Sequence, residues 1–219
     1  MIREYCRRAG ALIFGTAVSA VGIVMMLQAN VGLEPWSVLQ DGLSRTLGIT
    51  YGTASALVGA VAIGVAVVCN ESFGFGTILN IILSAVFIDC LLALDWIPLM
   101  TSLLPGILML LCGLELLAIG TWLYMRAALG AGPRDALMVA LARKTGRSVG
   151  LCRAAVELLA ILLGWLLGGR VGIGTVISAF GLGSLFNLNF ALVRFKASEL
   201  HQESVSETVH KLRRSGAGR

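Results

Sequence analysis

Residues 32–48 read GLEPWSVLQDGLSRTLG, and residues 130–146 read GAGPRDALMVALARKTG. The two stretches share one frame at a spacing of 98: Gly32 meets Gly130, Pro35 meets Pro133 and Gly48 meets Gly146. Proline suits the first position of a helix, where the missing N–H has no acceptor to lose, and glycine suits the left-handed position that ends one. Each stretch therefore reads as a short helix, over 35–47 and 133–145. Neither is long enough to cross a hydrocarbon core, which takes about 20 helical residues.

The frame continues outward from these helices. At the same shift Gly15, Gly22, Gly52, Gly74 and Gly76 also meet glycines, so seven of the eleven glycines between residues 10 and 91 coincide. The segments FGFGTIL (73–79) and VGIGTVI (171–177) fall on each other, with Thr77 on Thr175. Self-similarity at a fixed period marks duplicated units. The chain divides into a first repeat at 1–98, a second at 99–195 and a polar tail at 196–219.

The composition belongs to a membrane. Apolar residues make up 57% and charged residues 13%, with a mean hydropathy of +0.88, against roughly half and a quarter in soluble domains. Residues 9–33 carry no formal charge, and similar apolar runs follow at about 52–69, 75–94, 103–125, 150–168 and 171–193. These are six predicted spans. The start, with Arg3, Arg7 and Arg8, resembles a signal peptide, but the apolar run continues past Ala-Val-Ser-Ala at 17–20, which favours a retained helix. The five cysteines form no CxxC pair and have no histidine near them, so they read as small core residues and imply neither a metal nor a cofactor.

The net charge of +5 does not point to nucleic acid, because the basic residues collect in particular segments. Three precede the first span, five lie between the fourth and fifth (Arg126, Arg134, Arg143, Lys144, Arg147), and six follow the last. The opposite side keeps Arg45 and Arg170. The positive-inside rule then puts both termini in the cytoplasm of a bacterial plasma membrane. Three spans per repeat is an odd number, so the second copy enters the bilayer from the other face. The expected fold is an all-α integral membrane protein of six spans in two inverted three-helix repeats, each with a short interfacial or re-entrant helix after its first span. Inverted repeats recur in secondary transporters, with the substrate held between them near the midplane.

Charges inside spans are costly and mark pathways or packed interiors. Asp89, Glu115, Arg153 and Glu157 fall there, with Arg153 and Glu157 one turn apart and able to pair. The repeat partners of Glu115, Arg153 and Glu157 are Ala17, Ser55 and Gly59, and Asp89 matches Asn187. The copies diverge where the charges lie, as an asymmetric site would require. Trp36 belongs to the apolar stripe of the first short helix, with Ser37, Gln40 and Asp41 opposite. Arg134 and Asp135 occupy the first turn of the second, at the positive end of the helix dipole. Two such helix starts, one at each face, would serve as gates or half-sites for an anionic group. Interfacial belts anchored by Trp36 and the basic residues are the alternative.

GPRDALMVAL (132–141), TGRSVG (145–150), the R-x-x-x-E of 153–157 and GWLLGGRVGIGT (164–175), with GLEPWSVL (32–39) and FGFGT (73–77), resemble the YczE/YyaS/YitT-like family of bacterial inner-membrane proteins. The resemblance spans nearly residues 10–193 and implies a multi-pass plasma-membrane protein. It makes Pro35, Trp36, Pro133, Arg134, Asp135, Glu157 and Thr175 signature positions and brings no substrate with it.

The functional classes follow. The first is a small secondary transporter or channel for a small solute, an anion among the candidates, with Glu115 or Glu157 as candidates for proton coupling. The second is a membrane assembly or partner protein, alone or as a homodimer. An intramembrane enzyme ranks last: both histidines, His201 and His210, lie in the tail, and no HExxH or serine–base arrangement stands out.

Overall fold

A computed structural model describes residues 2–69, 73–130, 132–195 and 202–203. Among these, all regular structure is helical: α1 (Ile2–Ala29), α2 (Pro35–Leu47), α3 (Tyr51–Val68), α4 (Phe75–Leu94), α5 (Leu103–Met125), α6 (Pro133–Thr145), α7 (Val149–Leu166) and α8 (Ile173–Leu192). All but α2 and α6 are long and apolar enough to span a membrane, six in total. Large apolar side chains stand on their outer faces, Phe14, Val61, Leu158, Trp165 and Phe180 among them. Such a surface belongs in lipid.

The two short helices fall on the predicted bounds, opened by Pro35 and Pro133 and closed by Gly48 and Gly146 at φ 66° and 67°. The first span differs. It begins at Ile2 instead of near residue 9 and ends at Ala29, where Asn30 turns left-handed at φ 55°. Arg8 is part of the helix because its guanidinium has carbonyl partners: Nε donates to Ala127 and Nη2 to Ala128, each at 2.6 Å.

At the centre α1 and α5 cross antiparallel. A Cβ on Gly22 would stand 2.5 Å from the Gly113 oxygen, and one on Gly15 2.9 Å from the Gly120 oxygen, with the reverse contacts equally tight. Two backbones therefore touch where lipid offers no hydrophobic drive, and dispersion and close approach hold the pair. The main core around this crossing gathers Ile23, Met26, Leu110 and Leu114 with Ile88 of α4 and Leu182 of α8.

Matched joints flank the crossing. Gly76 N donates to Leu129 O and Gly174 N to Val31 O, both at 2.8 Å, and each pair lies 98 residues from the other. Thr77 Oγ1 accepts from Gly74 N, and Thr175 Oγ1 from Gly172 N and Leu33 N. Each Gly-x-Gly-Thr thus starts the last helix of one copy against the loop after the first helix of the other. Gly32 at φ 106° and Gly130 at φ 134° supply the turns that bring those loops in. The short helices also cross over: α2 packs on α7, and α6 on α3.

The copies differ in how their last two spans meet. α3 packs along α4, but α7 and α8 do not pack along each other. Asp89 accounts for the first contact, since its carboxylate accepts from Gly52 N at 2.7 Å and from Thr50 Oγ1 at 2.6 Å. Its counterpart Asn187 is exposed, and a Cβ on Gly150, the counterpart of Gly52, would meet nothing.

One further expectation needs correction. Only Cys152 is buried, while Cys6, Cys90 and Cys112 face outward, where lipid accepts a small apolar thiol as readily as a core does. Part of the polar tail lies on the helices: Glu203 is buried, pairing with Arg8 at 2.7 Å, while Gln202 bonds Gly130 N and Met125 O. The rest of the tail, with His201 and His210, lies outside the described residues.

Candidate functional site

A cavity of about 140 Å³ opens between the starts of α2 and α6, and all eight helices contribute to its wall. Glu34 forms one side. It is the N-cap of α2, its carboxylate accepting from Trp36 N and Ser37 N at 3.2 Å and from Ser37 Oγ at 3.0 Å. Those amides have no partners within the helix, and the positive end of the dipole favours the anion. The side chain is 1% exposed, and Arg134 Nη1 completes its shell at 2.9 Å.

Arg134 comes from the first turn of α6, in the other repeat. Its guanidinium also lies 5.3 Å from the centre of the Trp36 ring, within cation–π range. Gly132, the N-cap of α6, has no side chain to do what Glu34 does for α2. The ion pair therefore joins the two helix starts as well as the two repeats.

The far wall carries a second pair. Arg153 Nε donates to Glu157 Oε1 at 2.8 Å within α7, and its guanidinium lies 6.0 Å from the Phe186 ring of α8. Polar groups from the first copy also line the space. Asn80 donates to Thr16 at 2.9 Å, and Gln40 accepts from Tyr51 at 2.7 Å. Ser19, on α1, is different: among the described residues its hydroxyl has no hydrogen-bond partner, and it is packed against Gly120 in the α1–α5 crossing. An orphaned buried hydroxyl is costly.

Of the sequence candidates, Trp36, Arg134, Arg153 and Glu157 converge here. Two do not. Asp89 holds α3 to α4, and Glu115 accepts from Asn189 Nδ2 at 2.9 Å, tying α5 to α8. The side chain of Asp135 lies outside the described residues. The polar face of α2 points inward: Ser37, Gln40 and Asp41 are all buried. Asp41 receives Arg170 through Nε, Nη2 and the backbone N, at 3.0–3.2 Å, an anchor with no counterpart in the second repeat, where Val139 replaces Asp41.

Sequence reasoning missed Glu34 and Ser19. The signal for Glu34 was present: an acid directly before a repeated proline, where the other copy has Gly132. Nothing in the sequence separates Ser19 from the other small residues of α1.

The sequence model of the Family of unknown function (DUF6198) matches residues 6–189. An uncharacterized protein of Haemophilus influenzae is 34% identical over 174 residues, covering 80% of this chain and 79% of the relative. The uncharacterized membrane protein YczE of Bacillus subtilis is 30% identical over 195 residues, covering 84% and 90%, and the uncharacterized protein YyaS of the same organism is 24% identical over 185 residues, covering 82% and 90%. No solved structure matches. With a family match over most of its length, relatives at this identity and six apolar spans, the chain belongs to this YczE-like family of multi-pass membrane proteins.

Proposed function

We propose that this chain is a small secondary transporter of the bacterial plasma membrane, carrying a small polar solute through the cavity between two inverted repeats. Both termini are cytoplasmic by the distribution of arginine and lysine. In this reading α2 and α6 re-enter from opposite faces and begin near the midplane. The observation that carries it is the Glu34–Arg134 pair: the first residues of both short helices meet across the repeats at a charged, walled cavity. Broken helices that start at a central site are a device of transporters with inverted repeats. A helix lying in either interface would not reach its twin.

The unlike state of the repeats supports a cycle. The first copy is latched, α3 to α4, and the second parted, α7 from α8. In an inverted pair, exchanging the two states presents the same cavity to the other side of the bilayer. Glu157 at the parted edge is the residue proposed to couple a proton. The test is counterflow of a panel of small polar solutes in proteoliposomes, with Glu157→Gln alongside the parent. Transport by the parent with altered pH dependence in the variant is expected. No solute moving faster than in protein-free vesicles, with the protein still folded, overturns the reading.

One observation favours a second reading, an assembly or partner protein: Gly150, Gly181 and Gly183 have open space where a Cβ would stand, as a surface awaiting another helix would. One stoichiometric partner copurifying, with no solute transported, would favour it.

A further inference from the structure

The cavity's charges bear on what it can hold. Its ionised lining groups come as two pairs, Glu34 with Arg134 and Arg153 with Glu157, and they sum to zero. Among the described residues, the only hydrogen-bond acceptor of Arg134 is Glu34 and that of Arg153 is Glu157, so each guanidinium retains N–H groups with no protein acceptor. Arg134 and Arg153 are attached to different helices of the second repeat. The uncapped start of α6 adds backbone donors.

We infer that the ligand is a small zwitterion, a molecule bearing one carboxylate or equivalent anion and one ammonium. This rests on the transport reading and narrows it. While Glu157 is ionised, a lone anion would leave the site with an unmatched negative charge in a low-dielectric interior, and a lone cation the reverse; a zwitterion exchanges partners with the two pairs and keeps the total at zero without a proton on Glu157. Its anion takes the guanidinium N–H groups. Its ammonium takes Glu34 or Glu157, near the Trp36 and Phe186 rings. The space fits that size: a cavity of about 150 Å³ accommodates a ring of six non-hydrogen atoms, and this one measures about 140 Å³.

The test is titration calorimetry on the full chain in nanodiscs, with glycine and β-alanine as zwitterions, acetate and propionate as anions, and ethylamine as the cation. At least tenfold tighter binding of a zwitterion than of the matched anion and cation is expected. Arg153→Ala, which removes one half-exposed member of an i,i+4 pair on the cavity wall, should weaken that binding tenfold or more. An anion binding as tightly as the zwitterion overturns the zwitterion assignment and leaves a solute site standing. Binding of none of the five, with an unchanged unfolding transition, overturns this assignment; whether the chain transports at all is then decided by the counterflow panel, which reads a different quantity. Unchanged zwitterion affinity in Arg153→Ala overturns the role given to that guanidinium.

Discussion

The two repeats start from one plan and end in different states. In the first, Gly52 allows α3 against α4, and Asp89 bonds the Gly52 amide and the Thr50 hydroxyl across the contact. In the second, Gly150 faces open space and Asn187 is exposed; Ser148 caps its helix through Leu151 N as Thr50 does through Thr53 N, but of the two only Thr50, among the described residues, also donates to an acid across the contact. One carboxylate replaced by an amide accompanies the difference between a latched edge and a parted one. The charges lost from that latch are not missing from the second copy; Arg153 and Glu157 stand where the first has Ser55 and Gly59. All four positions line the cavity: in the first repeat they are small, with Gly59 against Ile81, and in the second they carry charges.

The largest effect falls where the repeats join. Arg134→Ala leaves the Glu34 carboxylate buried without its cation, and breaking a buried pair from one side costs about 3 kcal/mol. The expected result is a lower unfolding midpoint in detergent. The paired replacement Glu34→Gln with Arg134→Met should regain most of that stability while losing solute binding. A double variant as unstable as the single would show that Glu34 matters chiefly as the cap of α2.

Next come the matched glycines. Gly52→Ala puts a methyl against the Ala85 carbonyl and the Asp89 carboxylate, an overpacking expected to cost about 2 kcal/mol. Gly150→Ala meets nothing and should be neutral or gain up to about 0.5 kcal/mol from helix propensity. Equal losses would mean that α7 and α8 are packed in the bilayer. The bulkier Gly150→Leu sharpens the comparison: if α7 closes on α8 during turnover, this variant folds normally and stops transport.

The latch itself is worth less. Asp89→Asn makes the first copy resemble the second and replaces two charge-assisted hydrogen bonds with weaker neutral ones, a loss of about 1.5 kcal/mol. Asn187→Asp, the reverse exchange, should not restore a latch, because its donors are out of reach while α7 is parted. Faster hydrogen exchange in α3 of Asp89→Asn, with α7 unchanged, would locate the effect.

Legibility followed the range of the interaction. The short helices were readable to the residue because proline and glycine act locally, through a missing N–H and a left-handed φ. The six spans were readable because each is a long, almost uninterrupted apolar run. The start of α1 was not, since Arg8 is satisfied by carbonyls more than a hundred residues away. The site divided in the same way. Arg134, Arg153 and Glu157 stood out as charges against an apolar background, and the pairing within α7 followed from spacing. Glu34 looked like an ordinary loop acid until the second repeat delivered Arg134 to it. Asp89 and Glu115 were equally conspicuous and turned out to bridge helices, because a buried carboxylate is satisfied as well by an amide or a hydroxyl as by an ion.

The smallest effect on stability tests the functional side of the comparison most directly. Arg153 and Glu157 pair at i and i+4 with side chains 38% and 16% exposed, a geometry worth about 0.5 kcal/mol. Arg153→Ala should therefore barely move the unfolding midpoint, in contrast to Arg134→Ala. If the pair is half of a binding site, the same variant weakens zwitterion binding by tenfold or more, because the ligand's anion loses a guanidinium while Glu157 stays to repel it. Arg153→Lys, which keeps the charge but not the fork, should fall between the two. A variant that loses stability and binding in the same proportion would assign Arg153 to holding α7 in place. The second repeat would then differ from the first only in how it packs.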